Sequence, residues 1–204
     1  LMHQNYGYSY VNPDLYIAEK ICQRSEDGRL SSNVAILEGE LIGHCALMKS
    51  SPDDITVELG AAVVSPEKQG LGIFNRLWQS LEDLLPTRQE QLVCVHAVTC
   101  HAFTQKTVLK HNYIITALML AYTPTTIHFK SVQDQKTEER GAVFYCCKLL
   151  QPMQPLDVYV TTEDYPWVDL MAKQLHMPLN YQKDDAKLDA NSGTAIQLKH
   201  SIEP

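Results

Sequence analysis

The sequence predicts a mixed α/β fold, an α+β arrangement in which helices pack on a mixed sheet with one central strand. Three observations carry the prediction. Residues 55–78, ITVELGAAVVSPEKQGLGIFNRLW, read as a strand, a turn with two glycines and a helix. Two apolar runs, 32–37 and 41–48, flank Glu38-Gly39-Glu40, the pattern of a hairpin. Beyond residue 90, apolar runs of strand length alternate with short helical stretches.

Taken in order, residues 3–10 (HQNYGYSY) are rich in tyrosine, which lines clefts or packs at domain edges. Asn12-Pro13-Asp14 starts a helix expected to run to about Arg24, with Leu15, Ala18 and Ile21 or Cys22 inward. Glu26-Asp27-Gly28 ends it, and the hairpin follows. After the turn Ser51-Pro52-Asp53-Asp54 comes the central strand, 55–64. In the next helix Phe74, Leu77, Trp78, Leu81, Leu84 and Leu85 share one face, and Pro86 stops it. Residues 91–97 read as a strand buried on both sides, 104–110 as a short helix and 113–122 as a strand. The polar run 131–140 reads as a surface loop and 142–149 as a strand. Pro152 and Pro155 mark a link to a strand at 156–160 and a helix at 163–175; 180–192 is expected to be mobile, and 194–198 a last strand. This divides the chain into a first domain, 1–150, and an extension, 151–204, that reads as a partial second lobe. The chain opens with Leu1-Met2, which suits a fragment or a processed product.

Composition narrows the function. There are 17 Lys and Arg against 24 Asp and Glu, a formal charge of −7, which argues against a nucleic-acid binder. No apolar run has transmembrane length and no stretch reads as a signal peptide, so no membrane partner and a cytoplasmic location are expected. The six cysteines lack paired spacing and lie mainly in apolar stretches, as buried free thiols would; no metal site is expected.

The turn at 65–72 is the most informative feature. Gly70 and Gly72 let the backbone pass close to a ligand, and the free N–H groups of the helix mouth suit a phosphate or pyrophosphate. A dinucleotide fingerprint needs a third glycine where Asn75 stands. A nucleoside-triphosphate loop needs Gly-Lys-Ser/Thr, which is absent. Glu67-Lys68-Gln69-Gly70-Leu71-Gly72 instead resembles the acyl-coenzyme A turn of the GNAT acetyltransferases, with Glu67 where that family usually has Arg or Gln. Four further matches, to a bacterial subgroup of the family, stand in the right order. They are Tyr6-Gly7-Tyr8-Ser9-Tyr10, Gly43-His44-Cys45-Ala46-Leu47, Glu58-Leu59-Gly60, and residues 98–106, VTCHAFTQK. The resemblance spans about 5–150. The family's first strand has no counterpart here, and in the subgroup the module can be one part of a longer chain with additional domains.

The resemblance implies transfer of an acetyl group from acetyl-CoA, with coenzyme A as co-substrate, to an amine on a small molecule or a protein. It assigns the strand edge Ala62, Val63 and Val64 to the pantetheine arm, and the turn Gln69, Gly70, Leu71 and Gly72, with Ile73, to the pyrophosphate. Lys68, Lys106 and Thr104 complete the cofactor set; Arg76 reads as a surface residue. Alternation along the strand puts Thr56 and Glu58 on one face and Val57 and Leu59 on the other, making Glu58 the candidate general base. Burial is expected to raise the pKa of Glu58 towards that use. The acid is usually a tyrosine on the helix after the next strand, but that position is Val108, so the expected substitute is His101 or Thr104, the alternative being that the thiolate leaves unaided or takes a proton from water. Tyr6, Tyr8, Tyr10 and His44 are expected at the acceptor, in a pocket lined by the tyrosine stretch, the hairpin and residues 113–126; His44 and His96 could join the cleft, but a strand histidine is more often a core or edge residue. The alternative reading, from Val108 and Glu67, is a non-catalytic acyl-CoA sensor or interaction module.

Overall fold

The computed structural model describes residues 1–128, 130 and 139–183. A six-stranded sheet has the order β1-β2-β3-β4-β6-β5, built from β1 (Leu30–Leu37), β2 (Glu40–Met48), β3 (Thr56–Val64), β4 (Leu92–Val98), β5 (Ile114–Thr123) and β6 (Gly141–Leu149). All neighbours are antiparallel except β3 and β4. The hairpin between β1 and β2 turns on Glu38 and Gly39, both at positive φ, which is the two-residue geometry matched to strand twist.

Helix α3 (Ile73–Leu84) lies on one face of the sheet. It buries Ile73, Leu77, Trp78 and Leu81 against Val57, Leu59, Val93 and Val95. Gly43 permits the close approach: a Cβ there would stand 2.8 Å from Ile73 Cγ2 and 3.0 Å from Leu77 Cδ1. The expected apolar stripe is corrected at Leu84, which is 39% exposed. Glu82 takes an inward place instead, accepting from Trp78 Nε1, Tyr113 Oη and Lys148 Nζ. Pro86 sits in a 3-10 turn, Leu85–Thr87, that closes the helix.

The other face is covered by the start and the end of the described chain. The stretch 3–10, for which no element was expected, falls partly in a short helix, α1 (Met2–Tyr6). The single helix expected from Asn12 to Arg24 is two pieces: a 3-10 turn, Pro13–Tyr16, and α2 (Ala18–Glu26). Ile17 between them is extended (φ −118°, ψ 111°), a conformation its β-branched side chain favours. Asn12 caps the first piece as expected, by accepting from the Asp14 N–H. Leu15 is buried, whereas Ala18 and Cys22 face outward.

Helix α4 (Phe103–Lys110) follows β4. Beyond β6, a two-stranded parallel sheet of β7 (Leu156–Val160) and β8 (Leu179–Lys183) flanks α5 (Tyr165–Leu175). Leu175 packs on Cys94 and Cys147, on the face opposite α3. Residues 180–183, expected to be mobile, form most of β8; the strand expected at 194–198 and most of the loop expected at 131–140 lie outside the described residues. Among the described residues no helix is long and apolar enough to cross a membrane.

Candidate active site

The parallel pair β3 and β4 is in register only at Thr56↔Leu92, Val57↔Val93 and Glu58↔Cys94. Beyond Glu58 the two strands part and leave a fork. The edge of β3 that faces the fork includes Ala62, Val63 and Val64, with no partner from β4. A bulge steepens the divergence: pairing with β2 slips between His44 and Ala46, and Ala61 stands at φ 50°. Residues 60 and 61 therefore face the same side. Gly60 approaches Glu58 and Met48, and Ala61 packs with Leu15 and Met48.

The glycine turn sits at the mouth of the fork. Gly70 (φ 81°) and Gly72 (φ 72°) are both left-handed, a conformation that disfavours a side chain. The first helical N–H with a partner is that of Arg76, which donates to Gly72 O at 3.1 Å. Among the described residues the amides from 70 to 75 make no protein hydrogen bond, so they form the positive end of α3. A cleft of about 1100 Å³ joins this mouth to the fork.

The cleft brings together most of the expected site. Ala62, Val63, Val64, Lys68, Gln69, Gly70, Gly72 and Ile73 line it from β3 and the turn, and His101, Thr104 and Lys106 from the start of α4. Leu71 is the exception in the turn, with a side chain 60% exposed and outside the lining. Burial holds the His101 imidazole below the ordinary histidine range. Val108 is fully buried in the core, so the position where the family has a tyrosine does not face the cleft.

Glu58, Tyr6 and Tyr10 line the inner end. Glu58 corrects one expectation: its side chain is 36% exposed, so it opens to the cleft rather than lying buried. Burial first, then the neighbouring Tyr6 and Glu58, push the Tyr10 phenol well above its ordinary value; burial pushes Tyr6 up to about 12. Both stay protonated and can only donate or accept a hydrogen bond there. Tyr8 lies outside this cleft, in an adjoining groove of about 800 Å³ that shares the Tyr6 and Tyr10 walls. His44 is placed elsewhere. Its Nδ1 donates to Ala61 O at 2.8 Å and its Nε2 accepts from Ser32 Oγ at 3.0 Å, so it braces the bulge from behind.

Beside Glu58 stand His96, a strand histidine that could have joined either the cleft or the core, Tyr122, from the stretch expected to line the acceptor pocket, and Tyr145, which was absent from the expected set. The available signal was alternation on β4, which puts His96 two residues beyond Cys94 and on the same face. Tyr122 lies in the stretch expected at the acceptor, but nothing in the sequence set it against His96, because β5 stands two strands from β4 in the order β4-β6-β5.

This architecture is that of an acyl-CoA N-acyltransferase. The profile of the Acetyltransferase (GNAT) family matches residues 3–106, and the chain belongs to that family. No curated protein matches the chain. Among solved structures, yncA of Salmonella typhimurium, determined with its cofactor acetyl-CoA, is 18% identical. It aligns over 71% of this chain and 77% of its own, with a TM-score of 0.55. The ribosomal-protein-alanine N-acetyltransferase of Brucella melitensis is 17% identical over 69% of this chain and 80% of its own, TM-score 0.54. The spermidine/spermine N-acetyltransferase SpeG of Vibrio cholerae is 15% identical over 69% and 78%, TM-score 0.52. These three share the fold.

Proposed function

We propose that this chain transfers the acetyl group of acetyl-CoA to a primary amine of a small molecule or a protein, with Glu58 as the general base. The observation that carries the reading is the open fork between β3 and β4, with the bare amides of 70–75 at its mouth and Glu58 at its inner end.

The residues fit the cofactor. The two positive-φ glycines leave open space where a Cβ would stand, so a diphosphate can approach the backbone. Lys68 and Lys106 add positive charge beside it. The edge Ala62, Val63 and Val64 offers backbone donors and acceptors to an amide-bearing pantetheine arm, as a strand edge offers them to an added strand. Bound there, acetyl-CoA would supply an activated acyl carbon. Glu58 would take the proton of the incoming ammonium, leaving the nitrogen lone pair free to react. His101 and Thr104, at the start of α4, are the donors proposed for the departing sulfur. Tyr6 and Tyr10 wall the acceptor end, and Tyr8 extends that wall into the side groove.

The acceptor classes of the structural relatives differ: a ribosomal protein alanine in one, a polyamine in another. The test is therefore release of free thiol from acetyl-CoA with spermidine and with a short alanine-initiated peptide. Replacing Glu58 by Gln is expected to slow turnover by about 10²–10⁴-fold while acetyl-CoA still raises the melting temperature. An unchanged rate removes Glu58 from the role. The buried Val108 favours one other reading, a non-catalytic acyl-CoA sensor. It predicts cofactor stabilisation and no acetylated amine. We also propose residues 151–204 as an extension distinct from the acetyltransferase domain, since β7 and β8 form a separate sheet.

A further inference from the structure

We propose that His96 is a positioning residue for Glu58: it fixes one carboxylate oxygen so that the other faces the amine. The inference rests on the acetyl-transfer reading.

His96 Nδ1 lies 3.0 Å from Glu58 Oε1. An ionised carboxylate has no hydrogen to give, so Nδ1 carries the proton and donates it. Among the described residues Oε1 takes this bond and Oε2 takes none. The contact has a particular place in the sheet. Glu58↔Cys94 is the last rung between β3 and β4, and His96 is the next residue of β4 on that face. The side-chain bond thus ties the two strands together just past the point where their backbones separate.

The imidazole is itself held. It stacks on Tyr122 from β5, with centroids 4.8 Å apart and planes within 12°, and tilts against Tyr145 from β6 at 5.0 Å. Tyr145 is also the residue paired with His96 in the β4–β6 register. A ring clamped from two strands cannot swing, so its Nδ1–H points one way. His96 is less exposed than Glu58, 19% against 36%, so the fixed partner sits behind the carboxylate and the carboxylate in front. Glutamate otherwise has three free torsions, and a base that wanders does not meet the amine at transfer distance. With Oε1 pinned, the ammonium proton passes to Oε2. The N–H bond breaks, an O–H bond forms and the electron pair stays on nitrogen.

Two substitutions separate this role from plain packing. His96→Phe keeps a ring to stack on Tyr122 but has no donor. His96→Asn loses the ring but keeps an N–H near the place of Nδ1. Positioning requires that Phe lower kcat by on the order of 10²-fold, that Asn restore most of it, and that KM for acetyl-CoA hold in both. A packing role gives the reverse, with Phe tolerated and Asn impaired, and that order overturns the proposal. The assay uses acetyl-CoA with spermidine and with the alanine-initiated peptide. A second arm needs no turnover. In protein labelled with ¹⁵N-histidine, the Nδ1–H resonance of His96 is expected to be visible and slow to exchange, and to vanish in Glu58→Ala. Its absence from the unsubstituted protein, or its survival in Glu58→Ala, overturns the pair. A visible resonance in a protein that acetylates neither amine sinks the transfer reading and leaves the pair standing.

Discussion

His44 Nδ1 donates to the carbonyl of Ala61 across 2.8 Å, at the residue where the central strand bulges and turns its edge towards the fork. Without that bond Ala61, at φ 50°, would hold a left-handed backbone with no compensating partner from β2. His44→Leu is expected to destabilise the fold by about 1–3 kcal/mol in urea titration, because a part-buried carbonyl loses its donor. The same histidine gives a pH dependence. Burial depresses its folded-state pKa below the unfolded value. The unfolded chain therefore binds the proton first as pH falls, so stability is full above about 6.5 and declines below it. His44→Gln should flatten that decline in a series of melts across pH.

Gly72 and Gly70 are expected to be intolerant of even a methyl group, although nothing lies within 4 Å of either position. The strain is in the backbone: a left-handed non-glycine residue costs roughly 1–2 kcal/mol. Gly72→Ala should lower stability by about that amount and raise the KM for acetyl-CoA more steeply, because relaxation of the turn moves the amides of the helix mouth. Melts and initial rates over a range of acetyl-CoA read the two effects separately.

Glu82 ties α3 to the sheet. Its carboxylate is 7% exposed, receives Lys148 Nζ at 2.6 Å and Tyr113 Oη at 2.7 Å, and has no contact with the fork. Removing it strands three donors, Trp78 Nε1, Tyr113 Oη and Lys148 Nζ. Glu82→Leu is expected to lose about 2–3 kcal/mol, discounted from the cost of a fully buried pair because Lys148 is 31% exposed. Lys148→Met should lose less than Glu82→Leu, since Trp78 and Tyr113 still donate to the carboxylate.

The thiols should divide into two classes. Cys22 and Cys100 are exposed, and Cys45, Cys94, Cys146 and Cys147 are buried. Burial pushes Cys45 and Cys94 up to about 12, so they carry almost no thiolate at neutral pH. An aromatic disulfide reagent is expected to titrate two of the six thiols rapidly in the native protein and all six in denaturant. Fast reaction of a third would mean that the core around one of the four buried thiols opens.

The strand–turn–helix unit was legible because its parts are local. Alternation set the faces of β3, paired glycines set the turn, and a 3.6-residue stripe set α3. Those features placed the glycine turn at the mouth of α3 and the direction of Glu58 with no reference to the rest of the chain. The N-terminal segment was less legible: Ile17 breaks what reads as one helix, and α1 is too short to show a period. Alternation set the face of His96, but which side chains touch Glu58 was decided by the tertiary structure. His96 is 38 residues away in sequence, and Tyr122 stacks on it from β5, two strands from β4 in the sheet. Local sequence fixes dihedrals and faces, whose energies are set within a few residues. Which side chains meet across a sheet depends on strand order, and that is settled by burial of the whole core.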